Sequence, residues 1–367
     1  MPFSSNRLRL ARRRRRLTGI ELATKAGVTP VTVSRLERTN NEPTLGTAQA
    51  LADALQYPLD FLYGADLDEV EPDAASFRSL KGMTARERDA ALAAASIAFL
   101  VSDWVEQKFK LPAAAIPDLS FERDPEVGAR RLRSAWGLGE QPVRNMIDLL
   151  EAKGVRVFSL SENSLSVDAF SCWRDDAPYV FLNTYKSSEH SRFDAAHELA
   201  HLILHKHGGP RQRDVETEAN AFASEFLMPK ADVSARVIRV HSLAQVRQAK
   251  ARWGVSLAAM TYRLAKLGIL TEWQARRFFI EISRAGYRKT EPDPMPRESS
   301  LVWQTVFREL WKSRMPKASV ARELAIPPEE LESVIFGLAS PAFDPRSAGV
   351  DQASFGPRLA VENDLIA

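Results

Sequence analysis

One cysteine, Cys172, stands in 367 residues. An intrachain disulfide is excluded, and the chain suits a reducing compartment, the cytoplasm. Long apolar runs are missing too. The N-terminus is basic but lacks the apolar core of a signal peptide. The alanine-rich stretch Ala90–Val101 is too short to span a bilayer. These absences argue against a membrane partner. Overall charge of one sign is also lacking, since 50 Lys/Arg face 47 Asp/Glu for a net of +3.

What charge there is lies unevenly. Residues 1–64 hold ten Lys/Arg and five Asp/Glu, a net of +5, which leaves the remainder slightly acidic. A basic first domain on a near-neutral body suggests contact with phosphates. An apolar fraction of 45% over this length predicts a globular protein of two or more domains.

The chain is organised around the stretch Phe193 to His205, which contains H-E-x-x-H. Five of the six histidines fall between His190 and His207. On a helix, residues four apart share a face, so His197 and His201 can aim at one metal ion. Glu198 lies beside them, placed to take a proton from water on that ion. Leu199, Ala200, Leu202, Ile203 and Leu204 would seat the helix in a core. A zinc site of this kind needs a third protein ligand and an open fourth position. A second helix begins fifteen residues beyond His201, with Ala219, Phe222, Ala223, Phe226 and Leu227 on its buried side. A carboxylate on its first turn completes the set: Glu216 is the first choice and Glu218 the alternative. Asn220, one turn after Glu216, could hydrogen-bond a ligand from behind. Zinc is the default metal, and manganese is compatible with the same ligand types.

The first 64 residues read as short helices with tight turns: Leu8–Arg16, Ile20–Ala26 capped by Thr18, a third from Thr29 to Arg38, and Leu45–Leu55. Apolar Leu22, Ala23, Val28, Val33 and Leu36 give the outline of a helix-turn-helix. The run Leu17 to Thr39, L-T-G-I-E-L-A-T-K-A-G-V-T-P-V-T-V-S-R-L-E-R-T, resembles the Cro/CI (XRE) family of DNA-binding domains over residues 4–64. The resemblance implies double-stranded DNA as partner, homodimeric binding, and a recognition helix running from Thr29 to Arg38. Pro30, Val31 and Arg35 would then face bases, with Thr32 and Ser34 near phosphates. It also implies an Arg12–Glu37 pair inside the domain. Arginines 12 to 16 are expected to meet phosphates, which position such a fold on the duplex. Gly19 stands where the family usually has Gln. Pro30 and Val31 offer no side-chain donors, so readout would rest on Arg35 and on DNA shape.

An acidic linker with Pro72 follows. Thr84-Ala85-Arg86-Glu87 matches a capping box and opens a helix to about Phe109, better suited to packing on another helix than to chemistry. Helices are expected over Arg130–Leu138 and Val143–Lys153, and strands over Val155–Leu160, Ser166–Trp173 and Tyr179–Asn183. This order, with R-F-x-x-A-H-E-L-A-H-L-I-L-H (Arg192 to His205) and E-T-E-A-N-A-F-A-S-E-F-L-M-P (Glu216 to Pro229), resembles the ImmA/IrrE-type metallopeptidases. The matching span is Glu126 to Val237. The resemblance implies a small gluzincin fold, a zinc endopeptidase, an E-x-x-A-N element supplying Glu216 as third ligand, and a transcriptional repressor as protein substrate. Tyr262 and His205 are candidate oxyanion donors. The strand Tyr179–Asn183 would pair with substrate if it lies at the sheet edge.

Helices are expected over Leu243–Ala251, Ser256–Leu267, Thr271–Gly286, Trp303–Ser313, Ser319–Ala325 and Pro328–Phe336, with a stiff loop through Pro292, Pro294 and Pro296. The last two helices have a helix-turn-helix outline, but Glu329, Glu330 and Glu332 would repel phosphates. The fold expected is mainly α with a small β-sheet, an α+β chain. Its parts are a DNA-binding domain over 1–64, a linker and connecting helix over 65–125, a metallopeptidase domain over 126–237, a helical domain over 238–340 and a loose tail over 341–367. The function expected is a DNA-binding regulator that cleaves a repressor-type protein. The alternative is a non-catalytic repressor whose metal site is structural or senses metal.

Overall fold

The structure, a computed structural model, describes residues 1–39, 41–70, 84–160, 169–206, 212–335, 337–339 and 360–361. In chain order the helices of the first stretch are α1 (Ser5–Arg14), α2 (Gly19–Ala26), α3 (Pro30–Arg38), α4 (Leu45–Leu55) and α5 (Ala85–Lys108), followed by the short strand β1 (Phe109–Lys110). Next come α6 (Pro125–Ala135), α7 (Met146–Ala152), β2 (Arg156–Ser159), β3 (Phe170–Arg174) and β4 (Ala177–Leu182). Then follow α8 (Ser188–Leu204), α9 (Gln212–Leu227), α10 (Lys230–Arg236), α11 (Leu243–Lys250), α12 (Leu257–Lys266) and α13 (Glu272–Arg284). The chain closes with α14 (Leu301–Lys312), α15 (Lys317–Glu323), α16 (Pro328–Ile335) and β5 (Ala360–Val361). The expected α+β class with a small sheet is what is found. The elements form two compact units. One holds residues 1–112, 158–167 and 301–367; the other holds 113–157 and 168–300. The helices of 238–340 are thus divided, with α11 to α13 in the second unit and α14 to α16 in the first.

In the first unit, local chemistry sets the helix ends. Ser4 caps α1 by accepting from the Arg7 amide, so α1 starts earlier than the apolar pattern alone suggests. Thr18 and Glu21 form a reciprocal capping box at α2, and Gly27 ends that helix in the left-handed region at φ 65°. Thr29 caps α3, with Pro30 at its first position. Leu8, Leu22, Val33, Leu36, Leu51, Leu55 and Phe61 form a core with no more than 1% exposure. The expected capping box at Thr84 and Glu87 opens α5. That helix is buried almost all round, through Ala90, Ala91, Ala93, Ala94, Ala95, Ser96, Ile97, Ala98 and Phe99. Its alanines let α1 and α16 approach closely, and this stretch keeps no free face for a partner helix. Of the tail expected to be loose, Ala360 and Val361 pair antiparallel with Lys110 and Phe109. The remainder of that expectation lies outside the described residues.

In the second unit α6 begins five residues before its expected start at Arg130. Asp124 caps it through the amides of Glu126 and Val127, and Pro125 suits the first turn. Asn145 likewise moves the start of α7 to Met146. Gly154, at φ 82°, turns the chain from α7 into β2, and a Cβ there would lie 2.3 Å from the Ala113 carbonyl oxygen. Strands β3 and β4 form an antiparallel hairpin with Phe170 opposite Phe181 and Cys172 opposite Tyr179. The sheet order is β2-β4-β3. The strand Tyr179–Asn183, which could pair with substrate if it lay at the sheet edge, is instead central, with both of its hydrogen-bonding edges taken. The edge beside the hairpin belongs to β3. Helix α8 packs on β3 and β4, and α9 packs on α8 and α6. Helix α10, after Pro229, has too few residues to show an apolar period and was not anticipated.

Buried ion pairs hold the later helices to this core. Arg263 on α12 and Glu225 on α9 are both wholly buried and paired, and Arg263 also donates to the Met228 carbonyl at 3.0 Å. Arg192 on α8 pairs with Glu298 and donates to the Val143 carbonyl. The proline-rich loop is pinned again where the Met295 amide donates to Glu189 at 2.7 Å and Leu257 donates to Glu291 at 2.6 Å. Burial raises the Glu291 and Glu298 carboxyls, and Lys250 and Arg192 respectively oppose the rise. Removing one member of such a pair leaves the other charge buried and uncompensated. Arg263→Ala is expected to cost about 3–5 kcal/mol, seen as a lowered midpoint in urea unfolding.

Candidate metal centre and helix-turn-helix face

Ser187 caps α8 by accepting from the His190 amide, and Ala195, Ala196, Leu199, Ala200 and Ile203 bury its inner face completely. With the helix so fixed, His197 and His201 project together. Their Nε2 atoms lie 3.1 Å apart. Glu216, from the first half of α9, meets both: its carboxylate lies 3.3 Å from His197 Nε2 and 3.8 Å from His201 Nε2. One ligand atom from each of the three falls within 4.8 Å of the others. Two imidazoles and one carboxylate at this spacing match the three-ligand set of a catalytic zinc site. Among the described residues this is the one such group. Asn220, one turn on from Glu216, places its Oδ1 3.1 Å from His197 Nδ1. Glu218 points elsewhere, with its carboxylate 2.9 Å from His205 Nε2.

Glu198 is 3% exposed. Ser171 on β3 donates to its carboxylate at 2.7 Å. No motif marks Ser171 in the sequence, because the contact joins a sheet edge to a helix across 27 positions. His205, a candidate oxyanion donor, has both ring nitrogens engaged, one by His201 and one by Glu218. Tyr262, the other candidate, is 58% exposed.

Burial lowers His201 well below the ordinary imidazole value, helped by His197 and His205. For His197, burial acts in the same direction, but the hydrogen bond to Glu216 and the charges of Glu198, Glu216 and Asp194 outweigh it, so its net shift is upward. Neutral imidazole at His201 is the form that binds metal. Cys172, next to Ser171, is pushed up to about 12 by burial and then by the Glu198 charge. At neutral pH it is a buried thiol.

On the helix-turn-helix, Thr29, Pro30, Val31 and Arg35 are exposed, and Thr32 and Ser34 are half-buried. Thr29 serves the helix as its cap, its hydroxyl 2.9 Å from that of Thr32. Ile20, Val31 and Leu45 are 67%, 75% and 69% exposed, so much of this surface is apolar. The arginine run is otherwise engaged. Arg12 holds both Glu37 oxygens, at 2.5 and 2.9 Å, which is the implied internal pair. It also donates to the Leu17 carbonyl at 2.8 Å. Arg13 pairs with Glu69, and Arg14 and Arg15 pair with Glu330 on α16. Arg12 to Arg15, expected to meet phosphates, are thus each engaged by contacts within the protein. The acidic start of α16, expected to repel phosphates, meets these arginines instead.

The Cys172 thiol should resist an aromatic disulfide reagent at pH 8 in the native protein and react fully once unfolded. A thiol assay with and without denaturant checks this.

Two family models match the chain. Residues 8–62 match a helix-turn-helix family. Residues 150–265 match a peptidase family described as the IrrE N-terminal-like domain. The second match begins later than the expected 126 and runs on through α11 and most of α12, which supply Arg263 to the buried pair with Glu225. No curated protein matches. The chain thus joins an XRE-type helix-turn-helix domain to an IrrE-type peptidase domain.

Proposed function

We propose that this protein is a cytoplasmic, DNA-binding regulator whose peptidase-family domain is an active zinc endopeptidase acting on a repressor-type protein. The convergence of His197, His201 and Glu216 beside the buried Glu198 carries this reading. The donor set suits zinc and is compatible with manganese. When bound, the metal supplies Lewis-acid polarisation of a peptide carbonyl and lowers the pKa of a water. Glu198 would act as the general base and acid, taking a proton from the attacking water and returning it to the leaving amine. Ser171 holds the carboxylate in one rotamer while it does so. Asn220 holds His197 from behind. An extended substrate would add alongside β3, which is outermost among the described strands of this sheet and lies beside Glu198, because β4 is already paired on both sides.

The DNA-binding half of the reading rests on α3. Arg35, exposed in the last turn of α3, is suited to a bidentate contact with guanine. Thr32 and Ser34 would meet phosphates. A domain of this type reads paired half-sites, so a homodimer on DNA belongs to the proposal.

Purified protein should bind one zinc ion per chain, measured by elemental analysis, and His197→Ala, His201→Ala and Glu216→Ala should each lose it. Glu198→Gln should keep the metal and lose cleavage of a susceptible repressor by about 10²–10⁴-fold. Metal binding without cleavage of any repressor-type protein by wild type would leave a sensor or structural site in place of an enzyme.

Arg35→Ala should weaken binding to a duplex selected from a random pool by about 1–3 kcal/mol. Arg14→Ala should leave the affinity and its salt dependence unchanged and lower stability instead, because Arg14 is engaged by Glu330 and Ser333.

A further inference from the structure

We infer that Val31 reads the C5-methyl group of a thymine in the major groove, an inference that rests on the DNA-binding reading above. Val31 is 75% exposed, in the first turn of α3. The helix buries Val33 and Leu36 against the rest of the domain. At about 100° per residue, the direction opposite that buried pair runs through Val31, Arg35 and Arg38, spaced four and then three positions apart. All three are exposed. The outward stripe of α3 thus carries one aliphatic group, in the first turn, and two guanidiniums after it.

Base chemistry narrows what this stripe can meet. In a helix-turn-helix the second helix lies in the major groove, and the residues at its start contact base edges. Helix α3 is that second helix. In the groove guanine offers two acceptors, which suit Arg35, and thymine alone offers an apolar group, its methyl. Val31 has no donor or acceptor to give a base. Against adenine, guanine or cytosine it would strip water from a polar edge and return no hydrogen bond. Against thymine it covers methyl with methyl. Val31 and Arg35 are separated by about 6 Å along the helix, against about 3.4 Å per base pair, which places the thymine within about two base pairs of a guanine.

The surrounding residues leave this task to Val31. The Thr29 hydroxyl accepts from the Thr32 amide at 3.1 Å and lies 2.9 Å from the Thr32 hydroxyl, so both threonines serve the helix start. The start of α2 lies against α3, where a Cβ on Gly19 would stand 3.9 Å from Val33 Cγ1. Gly19 brings no side chain to that junction, and Thr18 and Glu21 are taken up by their capping box. Neither the core nor the cap of α3 uses the Val31 side chain, so its removal leaves the domain folded.

The test uses the full chain and a fluorescent duplex carrying the sequence recovered by selection from a random pool. Each thymine in turn is replaced by deoxyuridine, which pairs with adenine as thymine does and lacks only the methyl. Dissociation constants are read by anisotropy at one fixed salt concentration for wild type, Val31→Ala and Ile20→Ala. Ile20, on α2, is 67% exposed and serves as the control for loss of an apolar side chain elsewhere on the domain. Wild type should bind about fourfold more weakly when uracil replaces the thymine that Val31 covers. Val31→Ala should bind the thymine duplex more weakly by a similar factor and shrink the uracil effect below about twofold, the signature of two groups in contact. Ile20→Ala should keep the full uracil effect.

Uracil tolerated by wild type at every position would overturn methyl readout and leave the DNA-binding reading standing. A uracil effect of equal size in wild type and Val31→Ala would assign the methyl to another residue and overturn the role of Val31. So would its disappearance in Ile20→Ala as in Val31→Ala. A selection that recovers no bound duplex would refute the DNA-binding reading, and this inference with it.

Discussion

Helix α9 lies along α8, and their packing brings a carboxylate to two imidazoles that would otherwise be expensive to bury. Each of these groups loses water on entering the core, and Glu216 and Asn220 of α9 supply partners to His197 there. His197 and His201 share a face by helical period. Glu216 reaches them because Ala219, Phe222, Ala223 and Phe226 seat α9 with no exposure, which leaves one orientation for its first half. A rotation of α9 by one residue would send Glu216 away and bring Thr217 toward the imidazoles. The apolar contacts therefore set the polar geometry, and the polar groups have little freedom of their own.

The same unit shows how a core tolerates charge. Arg263, Glu225, Arg192 and Lys250 are nearly or wholly buried, and each is held by an opposite charge or a carbonyl. Such pairs add little net stability over a well-packed apolar equivalent, yet they are unforgiving of a missing partner. They link α9, α12, α8 and the proline-rich loop, which keeps elements outside the motif in a single arrangement around it. Glu198 belongs to this pattern, with Ser171 as its partner instead of a cation.

The first unit uses arginine for a different purpose. A run of five arginines, from the last turn of α1 to just past its end, suggests a phosphate surface when seen alone. Here Glu37, Glu69 and Glu330 neutralise members of it, and Arg15 also meets the carbonyls at the end of α4. Glu330 is 2% exposed, so its charge is compensated inside the fold. The net charge of 1–64 thus overstates what the domain presents to solvent, because acidic residues distant in sequence lie against it. What remains outward on α3 is Arg35 and Arg38 beside Pro30 and Val31.

Much of this was legible in the residues alone. Capping residues announce themselves, as Thr18, Thr29, Thr84, Ser256 and Thr271 do, since a hydroxyl satisfies an orphan amide wherever a helix begins. The H-E-x-x-H spacing determined that two imidazoles would share a face, and the E-x-x-A-N element favoured Glu216 over Glu218. Both inferences are local, because helical period is a property of the backbone. Tertiary structure alone decided which strand is central, which hydroxyl holds Glu198, and that the arginines of α1 face Glu330 from the other end of the chain. Those outcomes depend on which surfaces meet after folding, and a contact between residues 171 and 198, or 14 and 330, leaves no periodic trace in a sequence because neither partner constrains its own neighbours.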